Sequence, residues 1–202
     1  MGKSYAARKP VSQRPESDFY RTPESLTQLL CDTYEFGCFD TIYEPMAGDN
    51  AIADVLQLNE YDVVTDDIRT TGKNFLEFDG KVEYIVTNPA FSIFDETIQK
   101  CQEVCEHGYT LLGKTNFFGA YGRYKQGLWK NLKHVYIFNR QVDYRTPPEQ
   151  NGHFCVGNLI TGWFVFDKGW KHDCWNTSIM DVQPWATLGS YDNYTRRKND
   201  KI

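Results

Sequence analysis

The apolar positions of this chain switch repeatedly between helical and strand periods. Leu26, Leu29 and Leu30 recur at helical spacing behind Thr22-Pro23-Glu24, with Thr22 the expected cap and Pro23 at a first-turn position that tolerates proline. Thr41-Ile42-Tyr43 reads as a strand, and Ala51-Ile52-Ala53 with Val55-Leu56 opens an amphipathic helix. Tyr61-Asp62-Val63-Val64-Thr65 and Tyr84-Ile85-Val86 are two further strands. Ser92 with Asp95 resembles a capping pair for a helix that puts Phe94, Ile98, Cys101 and Cys105 on one face. Strands follow at Tyr109-Thr110-Leu111-Leu112, at Val135-Tyr136-Ile137-Phe138, and from Leu159 to Phe166, ending at Lys168-Gly169. Helix and strand patterns alternate from residue 20 to about residue 112, which predicts an α/β sheet.

A chain of 202 residues fits one domain. Its expected bounds are 18–190, after a segment 1–17 that lacks apolar periodicity and is read as flexible or as ordering over a ligand. Residues 191–202 read as a disordered basic tail, and the polar stretch from Asp143 to Gly152, with Pro147-Pro148, as a loop near the active edge. No internal repeat is present.

Charge narrows the partners. A net charge of −5 argues against a generic nucleic-acid coat, because phosphate affinity comes from Lys and Arg. Basic residues nevertheless gather at Lys3, Arg8, Lys9 and Arg14, at Arg123, Lys125, Lys130 and Lys133, and at Arg196-Arg197-Lys198. The middle group is interleaved with Tyr121, Tyr124 and Trp129 beside glycines. It reads either as a flexible loop that grips nucleic acid through Arg123, Tyr124, Lys125 and Lys130, or as a solvated surface loop. Six cysteines without a Cys-x-x-Cys pair, and no signal-like opening, imply a reducing cytoplasm. His153-x-Cys155 and His172-x-Cys174 match no common zinc module, so no metal is expected. No apolar stretch approaches the ~20 residues that cross a bilayer, and membrane partners are not indicated.

The chemistry concentrates in Thr87-Asn88-Pro89-Ala90-Phe91, directly after the apolar run Tyr84-Ile85-Val86. An exocyclic amine such as adenine N6 is a poor nucleophile while its lone pair is delocalised into the ring. The Asn88 side-chain carbonyl and the Pro89 main-chain carbonyl can accept its two N–H bonds and push the nitrogen toward a tetrahedral shape. Phe91 can stack on the base, which a duplex would have to flip out. Upstream, Glu44-Pro45-Met46-Ala47-Gly48-Asp49-Asn50 is a nucleotide-binding turn between strand and helix. Gly48 permits close approach of a ligand and Asn50 tolerates positive φ. No Lys-Ser/Thr follows, so a P-loop is excluded; Glu44 and Asp49 instead suit the cationic amino group and sulfonium of S-adenosylmethionine. Asp67 stands at the interval where α/β nucleotide folds place a carboxylate on ribose hydroxyls. Asn74-Phe75 can bond and cover an adenine, although Asn74 is equally an ordinary cap.

Together these residues resemble a small phage-type DNA adenine-N6 methyltransferase of the class-I S-adenosylmethionine-dependent superfamily. Asp18-Phe19-Tyr20-Arg21-Thr22-Pro23 is similar to that family's N-terminal cofactor motif, Glu44 to Asn50 to its glycine loop, and Asn88-Pro89-Ala90-Phe91 to its catalytic tetrapeptide. Trp163 to Gly169 resembles its late strand and turn. Asn50, Asn74 and Ala90 stand where the family has Gly, Asp and Pro; both carbonyls the chemistry uses are kept. The resemblance implies a Rossmann-like α/β fold with a mostly parallel twisted sheet, an antiparallel late strand and helices on both faces. It implies Tyr20, Thr22, Glu44, Pro45, Gly48, Asp67, Asn74 and Phe75 at the cofactor, Asn88, Pro89 and Phe91 at a flipped adenine, and no metal. Too little chain separates loop and tetrapeptide for a recognition domain, so target reading is expected from core loops or from a second subunit or homodimer partner. RNA adenine, a protein glutamine amide, and a weakly catalytic binding subunit stay open as alternatives.

Overall fold

The structure, a computed structural model, describes residues 20–37, 41–139, 142 and 160–182. The segment 1–17, the loop from Asp143 to Gly152, the tail from 191, and the His153/Cys155 half of the metal-like pattern lie outside them. The elements in chain order are α1 (Glu24–Thr33), β1 (Ile42–Glu44), α2 (Ala51–Leu58), β2 (Val63–Thr65), β3 (Val82–Thr87), α3 (Phe94–Val104), β4 (Cys105–Lys114), α4 (Tyr121–Lys125), β5 (Leu132–Phe138), β6 (Thr161–Asp167) and β7 (Asn176–Met180). Tight 3-10 turns at Phe75–Glu77, Phe91–Ile93 and Thr115–Gly119 connect them.

Among the described residues seven strands form one sheet in the order β2-β1-β3-β4-β6-β5-β7. Only β6 runs against the rest, antiparallel to both β4 and β5. Strand alternation divides the apolar side chains between two faces. Tyr84, Val86, Leu112, Trp163 and Val165 join Leu26, Leu30, Ile52 and Leu56 of α1 and α2. Ile85, Leu111, Phe164 and Phe166 join Phe94, Ile98 and Cys101 of α3. A sheet buried on both faces explains why β3 and β6 read as nearly continuous apolar runs. The architecture is therefore the predicted α/β one, helices on both faces included.

Trp163 ties the layers together. It is fully buried, and its indole N–H donates to the Leu26 carbonyl of α1 at 3.0 Å. Trp163→Ala is expected to destabilise the fold by about 3–5 kcal/mol through the cavity it leaves, read as a lowered urea midpoint.

The order of strands creates the site. From β1 the chain steps through α2 to β2 on one side, then returns to β3 on the other side of β1. The carboxyl ends of β1 and β3 thus flank a topological switch point, where open α/β sheets bind ligands.

Three local expectations are corrected, and one strand is added that the sequence pattern does not announce. Thr22 makes no cap on α1, whose N-cap residue is Pro23; its hydroxyl accepts from Asn88 instead. Ser92 lies in a 3-10 turn, α3 has no side-chain cap, and Asp95 pairs with Arg123. Cys105 is buried as expected but opens β4 rather than continuing the helix. Asn176–Met180, a polar stretch with no strand signal, is a strand through main-chain pairing with β5; only Met180 of it is buried. The described cysteines 31, 101, 105 and 174 are unbridged, and no described helix is long and apolar enough to cross a membrane.

Candidate active site

An open cleft of about 800 Å³, counted out to its mouth, lies at the switch point. Tyr20, Thr22, Glu44, Pro45, Asp67, Asn74 and Phe75 all line it, and Asn88 faces it from the end of β3. Residues that are 68 positions apart in the chain are brought to one surface.

Backbone geometry makes the first wall. Gly48 and Asn50 both take positive φ, +60° and +65°, which fits glycine and is tolerated by asparagine as the sequence predicts. The turn closes through the Asn50 N–H to the Ala47 carbonyl at 2.8 Å, and α2 starts at once. Glu44, the last residue of β1, is 1% exposed, and its Oε2 accepts the amide of Ala53 in the first turn of α2 at 2.8 Å. Burial pushes its carboxyl up to about 8; the Ala53 hydrogen bond opposes this, while Asp49, Asp54 and Asp67 add to it. Asp49 also lines the cleft but is already paired: Arg21 Nε donates to its Oδ2 at 2.6 Å, and the same guanidinium pairs with Glu24. Glu44 is thus a buried acid short of positive charge.

Asp67 holds the loop from the next strand. Its Oδ2 accepts the Gly48 N–H at 3.0 Å, and its Oδ1 accepts the Arg69 N–H at 2.8 Å, with Arg69 Nε at 3.3 Å. Neighbouring Asp66 is turned away into a separate network with the Tyr43 hydroxyl and Lys73. Burial there raises the carboxyl, but hydrogen bonds from Lys73 and Tyr43 outweigh it and leave Asp66 below its ordinary range. Asn74 acts as a cap: its carbonyl accepts Leu76 N–H at 3.1 Å and its amide donates to Glu77 at 2.8 Å. Phe75 is buried between Tyr43 and Phe78 while one side reaches the cleft.

The opposite wall is Asn88. Its Nδ2 donates to the Tyr20 carbonyl at 3.1 Å and to the Thr22 hydroxyl oxygen at 2.9 Å. Both amide hydrogens are thereby used, which settles which end of the amide is nitrogen and leaves Oδ1 as the end available to a ligand. Pro89 is buried, and Phe91 is half-buried, edge-on to Phe117 at 6.0 Å with the Lys114 ammonium 4.1 Å from its ring centre. Gly48, Pro89 and Phe91 do not themselves wall the cleft, although each adjoins in sequence a residue that does: Ala47 and Asp49, Asn88 and Ala90, and Ala90.

Of the basic, aromatic segment, the structure brings none of Arg123, Tyr124, Lys125 and Lys130 to the cleft. Nor is it a plain flexible loop. Arg123 is consumed by Asp95 at 2.6 Å and by the ring of Phe117 at 4.4 Å, Trp129 is buried, and Lys133 pairs with Asp167 at 2.8 Å. Tyr124, Lys125 and Lys130 are exposed. Sequence reasoning missed the roles of Arg21 and Lys114, each of which has a partner more than 20 residues away, Asp49 and Phe91, and the cleft residues Ile68, Arg69 and Lys73, which follow Asp67 without periodicity.

No family model and no curated protein sequence matches this chain. Solved structures do. The methyltransferase subunit of a type I restriction-modification system from Streptococcus thermophilus superposes with a TM-score of 0.55 at 10% identity, covering 88% of this chain and 53% of that one. A protein described as a modification subunit of a type I restriction enzyme from Vibrio vulnificus gives 0.54 at 11%, covering 91% and 53%. A dimethyladenosine transferase from Plasmodium falciparum gives 0.50 at 14%, covering 75% and 63%. The chain thus spans between half and two thirds of these proteins. At such identities the likeness is one of fold, and the fold is the Rossmann-like one of class-I methyltransferases.

Proposed function

We propose that this chain is an S-adenosylmethionine-dependent methyltransferase acting on the N6 amine of adenine in DNA. The placement of Asn88 carries the proposal: an amide held by two acceptors, at the end of β3, on the same cleft as a buried acid that has no cationic partner among the described residues and a positive-φ glycine turn. That donor set fits a ligand with a cationic amino-acid end and a nucleoside end. Glu44 and the Gly48 turn would hold the first, Asp67 the ribose once Arg69 gives way, and Phe75 the adenine. Asn74 serves that end as the cap that sets the Phe75 turn. When bound, S-adenosylmethionine supplies a methyl group on a sulfonium, already a good leaving group.

The remaining work falls to the chain's own residues. Asn88 Oδ1 and the Pro89 carbonyl accept the two N–H bonds of the substrate amine and withdraw its lone pair from the ring. Tyr20 and Thr22 keep that oxygen aimed. Phe91 adds a ring on which the base can lie as the Lys114 ammonium gives way. Positioning supplies most of the acceleration; the methylated nitrogen is left cationic and acidic and sheds one of its two protons to solvent, so no strong general base is needed. Two of the matched structures are called subunits by name, and this chain spans about half of each. A second subunit or a homodimer partner is accordingly proposed to share target reading with the core loops.

Calorimetric titration with S-adenosylmethionine, then labelled-methyl transfer to unmodified DNA, RNA and protein with digestion to monomers, tests this. Label in N6-methyladenine from DNA is expected. Label in a glutamine amide, or cofactor binding with no transfer to any nucleic acid, would overturn the substrate assignment.

A further inference from the structure

Outside the cleft, α4 carries a feature that packing does not explain. Tyr121 and Tyr124 are 69% and 70% exposed, their rings are within 19° of parallel, and their centroids lie 6.3 Å apart. The Lys125 ammonium sits 5.1 Å from the Tyr121 ring centre. A helix of five residues has little stability of its own. This one is pinned from beneath by Arg123, through Asp95 and the ring of Phe117. Phe117 in turn contacts Phe91 and Phe94. The exposed rings therefore stand on a firm mount that shares a neighbour with the proposed catalytic tetrapeptide.

Stacked, solvent-facing tyrosines beside a lysine ammonium combine the two elements that hold a polynucleotide strand without reading its sequence: faces for bases and charge for phosphates. Lys125 and the exposed Lys130 make this patch cationic on a chain whose net charge is −5, so the complementarity is local. A paired duplex buries its base faces and offers nothing for the rings to stack on. We infer that α4 is a ledge for unpaired nucleotides flanking the target base, with Tyr121 and Tyr124 under the bases and Lys125 and Lys130 on the phosphates. The inference rests on the proposed function for the strand's course toward Asn88, while the stacking itself needs no cofactor.

Fluorescence anisotropy of the full chain with a labelled oligonucleotide, single-stranded or annealed, across a salt range, tests it. The single strand is expected to bind more tightly than its duplex. Replacing Tyr121→Ala and Tyr124→Ala is expected to weaken single-strand binding by about tenfold per ring, whereas Tyr121→Phe and Tyr124→Phe hold it. Lys125→Met should reduce the slope of log affinity against log salt by about 0.7. An oligoribonucleotide bound more tightly than its deoxy counterpart would support the ledge with RNA upon it. Duplex binding equal to or tighter than single-strand binding, or an unchanged double alanine variant, would overturn it. So would self-association that the alanines abolish, which assigns the rings to a second copy. Calorimetry with S-adenosylmethionine on the unsubstituted chain separates the failures: intact cofactor affinity with no single-strand binding removes the ledge alone, and the alanine variants are expected to keep that affinity.

Discussion

Asn88→Ala is expected to reduce methyl transfer by about 10²–10³ while leaving S-adenosylmethionine affinity unchanged, as loss of one preorganised polar contact to a reacting group does. The reason is specific to the geometry. Asn88 presents Oδ1 because its Nδ2 is held by Tyr20 and Thr22, so the acceptor is aimed before any substrate arrives. Asn88→Asp should fail as well, since a carboxylate would set an oxygen against the Tyr20 carbonyl where a donor now sits. Single-turnover rates with saturating cofactor, beside calorimetric affinities for the same variants, make the measurement. Near-normal turnover in Asn88→Ala would remove Asn88 from the chemistry.

Glu44→Gln is expected to abolish a pH dependence and to weaken cofactor binding by about 10- to 100-fold, the usual worth of a hydrogen bond to a charged group. The Glu44 carboxyl rises from an ordinary value of 4.5 to about 8 in the folded chain, because burial disfavours its charge. Between those values the folded state holds a proton that the unfolded state has lost. Its contribution to stability is therefore full below about pH 4.5, declines as pH rises, and levels off above about pH 8. Urea unfolding of the native chain should show this decline relative to Glu44→Gln. A cationic ligand end beside Glu44 reverses the preference, so binding at pH 7 should release a proton. Binding enthalpies will then differ between buffers of different ionisation enthalpy, and will not in Glu44→Gln. Equal slopes and equal proton counts in both proteins would dismiss Glu44 as the cation's partner.

Much of the scaffold was legible because it is written locally. The apolar run Tyr84-Ile85-Val86, the helical spacing of Leu26 with Leu30 and of Phe94 with Ile98, and the positive φ of Gly48 and Asn50 each follow from a few neighbouring residues. What escaped depends on partners far along the chain. Thr22 looked like a cap because a cap is a local role, whereas its hydroxyl serves Asn88, 66 residues away. Arg123 looked like a phosphate contact until Asp95, 28 residues before it, claimed its guanidinium. Asn74 went the other way: the local role, a cap, is visible in the fold, and the residue lines the cleft as well. The strand Asn176–Met180 carries little apolar signal because it lies at the sheet edge, held by main-chain pairing with β5 and by the one buried side chain, Met180.

Three consecutive residues, Tyr20, Arg21 and Thr22, belong to both halves of the cleft. Arg21 grips Asp49 in the glycine turn, while its two neighbours hold Asn88 on the far wall. Ordering this short stretch for one ligand leaves less conformational entropy to be lost when the other arrives. The two ligands are then linked without any large motion, and by reciprocity each must tighten the other by the same factor. For the proposed cofactor and substrate this is binding synergism: the equilibrium dissociation constant of either is expected to fall when the other is bound.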